Sequence, residues 1–116
     1  MRDDRGLIQH LDRFRQPLDL TGLRWDNITP TDIDLFIEYK NKGYIIGEIK
    51  KTGNEMPLGQ QIAFDRLTKD LNTLKPTLFF MVYHDIEDCD TPIPVSDLML
   101  DGLTVKETID KWIDEL

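Results

Sequence analysis

Apolar and polar positions alternate along the chain in blocks of distinct period. Over residues 4–14, Leu7, Ile8, Leu11 and Phe14 recur at helical spacing, while Asp3, Asp4, Arg5, His10, Asp12 and Arg13 decorate the other side. That predicts an amphipathic helix, closed by Pro17. Residues 18–30 contain Gly22 and Pro30 and read as a connection with a short strand at 23–25. Two apolar runs, Leu35-Phe36-Ile37 and Tyr44-Ile45-Ile46, then flank the polar stretch Lys40-Asn41-Lys42-Gly43, the pattern of a β-hairpin turning at its glycine. After a loop over 52–56, Pro57 suits the first turn of a helix whose buried stripe is Ile62, Ala63, Leu67, Leu71 and Leu74, ended by Pro76. The unbroken apolar run TLFFMVY at 77–83 predicts a fully buried strand. A loop rich in Pro and Asp at 85–97 leads to the apolar Leu98-Met99-Leu100. Thr104-x-x-Glu107 is a capping-box pattern opening a helix over 105–116.

The order is α-β-β-(β)-α-β-α. An apolar strand between amphipathic helices must be covered on both faces, so the expected class is α/β, a single mixed sheet flanked by helices. At 116 residues the chain is expected to form one domain, with no room for a separate nucleic-acid-reading module.

Charge complicates any reading that involves nucleic acid. The chain carries −8 overall, whereas nucleic-acid binders generally present a basic surface. The imbalance is segregated. Ten acids against Lys106 and Lys111 follow residue 84, and the first 84 residues are neutral. Lys40, Lys42, Lys50 and Lys51, with Arg2, Arg5, Arg13, Arg15 and Arg24 upstream, lead us to expect a positive face around the hairpin. No run approaches the ~20 apolar residues of a membrane span, and MRDDRG is not followed by an apolar secretory core, so no membrane partner is expected. A single cysteine, Cys89, forms no internal disulfide, which points to a reducing cytoplasmic location.

The candidate chemistry lies in the hairpin. Antiparallel pairing brings the start of its first strand, with Asp32 and Asp34, to the end of its second, Glu48-Ile49-Lys50. Glu48 and Lys50 project from one face, and Asp34 can share it. Two carboxylates and a lysine at one hairpin end form a candidate divalent-metal site.

This constellation resembles the PD-(D/E)xK nuclease superfamily, which includes restriction endonucleases and Holliday-junction resolvases, and within it the compact, phage-type members. Asp34 matches the first acid, Glu48 the second and Lys50 the lysine. The usual proline before the first acid is missing, with Ile33 in its place and Pro30 displaced, so Asp32 rivals Asp34 for the first position. Gly59-Gln60-Gln61-Ile62-Ala63-Phe64 resembles the glutamine-bearing helix start of such nucleases. The resemblance spans about residues 20–85 and implies an αβββαβ restriction-endonuclease-like core and Mg²⁺- or Mn²⁺-dependent hydrolysis of DNA phosphodiesters. Asp34 and Glu48 would ligate metal with the Ile49 carbonyl as a third oxygen, a donor set that suits a hard cation. Lys50 would orient water or stabilise developing charge, and Gln60 would hold water or phosphate at a helix start. Gln61 equally reads as a solvated helix terminus.

Other candidates are weaker. His84 ends the apolar strand without a second His or a Cys at zinc-ligand spacing, and fits a structural hydrogen bond better than a catalytic one. Cys89 lies among acids and has no base partner. The sequence holds neither a Walker loop nor GxGxxG. The competing reading is a non-catalytic module that docks a basic partner, or mimics DNA, through its acidic C-terminal segment. A homodimer pairing through the Trp112–Ile113 helix is compatible with either.

Overall fold

The structure, a computed structural model, describes residues 18–116. The helix expected over 4–14 lies outside the described residues. The chain clusters into two compact units, Met1–Pro30 and Thr31–Leu116. In the described part of the first, Trp25 and Ile28 exchange both backbone hydrogen bonds, 3.0 and 2.7 Å, across Asp26 and Asn27. Those two residues hold left-handed φ of 50° and 69°, a conformation that Asn and Asp tolerate best. The strand expected at 23–25 is therefore only this bridged pair.

The second unit is α/β. Strands β1 (Leu35–Tyr39) and β2 (Gly43–Lys51) form the expected antiparallel hairpin. Its turn is made differently from expectation. Lys40 and Asn41 take left-handed φ of 47° and 59°, and the Lys42 amide donates to the Tyr39 carbonyl at 2.7 Å, a primed turn. Gly43 is instead required for space, since a Cβ there would lie 2.7 Å from the Trp112 ring and 2.8 Å from the Pro76 carbonyl oxygen.

Helix α1 (Leu58–Asn72) carries the chain across to β3 (Thr77–His84), which pairs parallel to β2. The sheet order β1-β2-β3 leaves β2 central. On one face Ile46 packs with Met56 and Phe64, flanked by Leu71, Phe79 and Met81, under α1. On the other, Ile45, Phe80, Val82 and Val105 pack with Ile109 and Trp112 of α2 (Val105–Asp114). Within β2, Gly47 accepts the Phe80 ring, which a Cβ would meet at 2.5 Å.

Two expectations need correction. The phase of α1 is set by Phe64, 2% exposed, and Leu71, whereas Ile62, Leu67 and Leu74 are 40, 36 and 76% exposed. A single aromatic at the centre of the helix outweighs the aliphatic stripe, because it buries the most area. The apolar run 77–83 forms an edge strand whose Tyr83 is 40% exposed. Helices cover both its faces, which accounts for its composition, but among the described residues no strand pairs with its other edge. The apolar segment after the loop contributes Met99 and Leu100 to a separate two-stranded ribbon. β4 (Met99–Leu100) and β5 (Leu103–Thr104) pair across Asp101-Gly102, with φ of 52° and 87°. The Asp-Gly pair is a strong sequence signal for this turn.

The capping box at α2 is present, with the Glu107 amide donating to Thr104 Oγ1 and the Thr104 amide to Glu107 Oε1, both at 3.1 Å. Among the described residues no helix is long and apolar enough to cross a membrane.

Candidate active site

The hairpin register decides which acids meet. Leu35 lies opposite Gly47, so one step further Asp34 faces Glu48. Residues opposite one another in an antiparallel pair share a face, and here it is the α1 face, which carries Ile46, Glu48 and Lys50. The Asp34 amide reaches Glu48 Oε1 at 3.4 Å, and Asp34 Oδ2 accepts the Ile49 amide at 2.9 Å. Asp34 thus extends the ladder past the end of β1 with its side chain. In a strand the N–H and C=O of one residue point the same way, so the Ile49 carbonyl is directed to the edge where Asp34 sits.

Glu48 is 1% exposed. Burial first, then the hydrogen bond and negative charge of the Asp34 carboxyl, push its pKa from 4.5 up to about 7, against the Asp34 amide and the Lys50 ammonium. Below about pH 7 the Glu48 carboxyl therefore holds its proton, in a position that a divalent cation would suit equally well. Lys50 is half-buried, and its Nζ donates to Gln60 Oε1 at 3.4 Å. Gln60 lies in the first turn of α1, which has no capping side chain and no acidic residue. The opening amides of this helix and the Lys50 ammonium therefore form a positive counterpart to the acid pair.

The structure brings Asp34, Glu48, Ile49, Lys50 and Gln60 together and separates the other candidates. Asp32 is exposed, and the carboxylate joined to the Ile49 amide is that of Asp34. Gln61 donates to the Met56 carbonyl at 2.7 Å, anchoring the loop before α1. His84 pairs in register with Lys51, on the sheet face opposite Glu48, and its Nδ1 accepts the Ile86 amide at 3.1 Å. Among the described residues no group of three or more His, Cys, Asp or Glu is placed to hold a metal. The side-chain donors are two carboxylates, which with a carbonyl fits a cation that retains several waters.

Among the described residues the expected positive face is not gathered around the site; Arg2, Arg5, Arg13 and Arg15 lie outside them. Lys40 and Lys42 lie at the turn, about 26 Å along the strand from Lys50 at the usual rise per residue. Lys51 points to the other face and pairs with Glu87 at 2.8 Å. Trp112, expected at a dimer surface, packs in the α2-face core. Sequence reasoning missed Phe36, which is 52% exposed on the site face and stacked on Tyr44 at 5.8 Å. Its alternation with Asp34 along β1 was the available signal.

No known protein family, no curated protein and no solved structure matches the chain.

Proposed function

We propose that this protein hydrolyses DNA phosphodiester bonds with Mg²⁺ or Mn²⁺, as a compact nuclease of the PD-(D/E)xK type built on a restriction-endonuclease-like core. The observation that carries the reading is Glu48, a carboxyl 1% exposed and directly opposite Asp34, with the Lys50 ammonium on the same face. A buried acid held against a second acid is costly to a fold and is characteristic of a site that acts on charge.

Asp34, Glu48 and the Ile49 carbonyl would hold the cation, which when bound polarises phosphoryl oxygen and lowers the pKa of bound water. Lys50 places positive charge where the attacked phosphate develops negative charge. Gln60 holds the Lys50 head group and, with the first amides of α1, faces the incoming phosphate. Phe36, two positions along β1 from Asp34 and stacked on Tyr44, adds a stacking surface on the same face.

The alternative is an acidic, non-catalytic interaction module or DNA mimic of the same fold, favoured by the ten acids after residue 84. Cleavage of branched and single-stranded DNA with Mn²⁺, run beside Glu48→Ala, separates the two. The nuclease reading expects cleavage that Glu48→Ala abolishes. No cleavage by the wild type, together with capture of a basic partner that survives Glu48→Ala, supports the module.

A further inference from the structure

We infer that the free edge of β3 is a docking groove for an extended peptide segment, a site distinct from the proposed nuclease centre but on the same sheet face, one strand from Glu48. The direction of the backbone groups follows from the ends of the strand. The Tyr44 amide donates to the Pro76 carbonyl and the Thr52 amide to the His84 carbonyl, so even-numbered carbonyls along β3 serve β2. The N–H and C=O of Thr77, Phe79, Met81 and Tyr83 therefore point outward. At Thr77 both groups are already satisfied by one side chain, the amide donating to Asn72 Oδ1 at 2.9 Å and the carbonyl accepting from Asn72 Nδ2 at 3.3 Å. Asn72 occupies the place of a neighbouring strand for one residue. Among the described residues, no backbone hydrogen bond occupies the outward groups of Phe79, Met81 and Tyr83.

A groove runs beside these groups. It has a volume of about 360 Å³ and is lined by Met56, Gln61, Asp65, Thr68, Phe79 and Met81. Gln61, Asp65, Thr68 and Asn72 form one stripe of α1, and the Asn72 contacts place that stripe along the β3 edge. The Thr68 hydroxyl is buried there without a hydrogen-bond partner, an unmet polar group of the kind native interiors rarely leave.

The occupant is an extended backbone from a partner, not a second copy of this chain. Helix α1 packs over β3, so a second copy paired edge to edge would bring its own helix to one strand spacing away, about 4.8 Å. Two packed helices need about 8–10 Å. A segment without a covering helix fits, adding a strand with its backbone and placing alternate side chains in the groove. Met56, Phe79 and Met81 select an aliphatic side chain there, and Asp65 on the groove wall favours a basic flank.

The probe is the peptide acetyl-Lys-Val-Thr-Leu-Thr-Val-Lys-amide, titrated into the ¹⁵N-labelled full chain. The expected result is saturable shifts of the Phe79, Met81, Tyr83 and Thr68 amides. Met81→Pro, which removes one outward donor at an edge position that tolerates proline, should weaken binding by about tenfold, the size of one lost backbone hydrogen bond. A peptide N-methylated on the residues that face the edge should not bind, a control that does not depend on the variant folding. Absence of shifts at these amides, equal binding of the N-methylated peptide, or a wild-type dimer in sedimentation with these amides already protected would overturn the proposal. None of these readouts involves DNA cleavage, so the result stands apart from the nuclease reading.

Discussion

Glu48 concentrates the account at the scale of single residues. Its carboxyl has a pKa raised from 4.5 to about 7, so between those values the folded state holds a proton that the unfolded chain releases. Its contribution to stability is therefore greatest at low pH and is lost as pH rises through about 7. The full shift is worth about 3 kcal/mol. Thermal melts between pH 4.5 and 8 should show this decline in the wild type and its absence in Glu48→Gln, which should be the more stable protein at pH 8. Equal pH slopes for the two proteins would contradict the assignment. Lys50 acts on charge that develops during the reaction. Lys50→Ala should keep the fold and Mn²⁺ binding yet lose about 10²–10³ in cleavage rate, the range for removing one such electrostatic donor. Lys51→Ala breaks only a surface pair with Glu87 and should cost under about 1 kcal/mol, with the rate changed little. Comparable rate losses in both variants would undo the distinction between the two faces of β2.

The elements show where sequence reasoning succeeds. The hairpin, the helix after Pro57 and the capping box of α2 were legible because each rests on local rules of alternation, proline geometry and Thr-x-x-Glu spacing. The meeting of Asp34, Glu48 and Lys50 on one face was legible for the same reason, since strand alternation fixes faces. Lateral position was not. The apolar run of β3 reads the same at the centre of a sheet or at its edge, because helices bury both of its faces. The phase of α1 was also hidden, since Phe64 and the stripe Ile62-Leu67-Leu74 are equally regular and only the sheet below chooses between them. That choice can be measured by urea unfolding. Phe64→Ala should cost about 3–5 kcal/mol, whereas Leu67→Ala, on a residue 36% exposed, should cost far less. Similar losses would place both side chains in the core.

For the whole molecule, the decisive property is how charge is distributed. The acids after residue 84 account for the net −8, while the proposed centre lies on the hairpin and α1. Not all of these acids are dispensable. Asp88 accepts the Asp90 amide and the Thr91 hydroxyl, both at 2.9 Å, bonds that lower its pKa and hold a turn. Asp97, Asp114 and Glu115 are exposed and better suited to substitution. Neutralising these three should tighten DNA binding, most visibly at 0.01 M salt where the screening length is about 30 Å, and leave the cleavage step unchanged. Loss of cleavage in that variant would assign the tail a role the account does not give it.

The most direct test of the central claim is Mn²⁺-dependent DNA cleavage at pH 8 by the wild type and Glu48→Gln, each assayed beside its own thermal melt. The expected result is cleavage by the wild type, and a Glu48→Gln protein that melts higher and does not cleave. A folded Glu48→Gln protein that cleaves at the wild-type rate would contradict it, as would a wild type that neither binds Mn²⁺ nor cuts branched or single-stranded DNA.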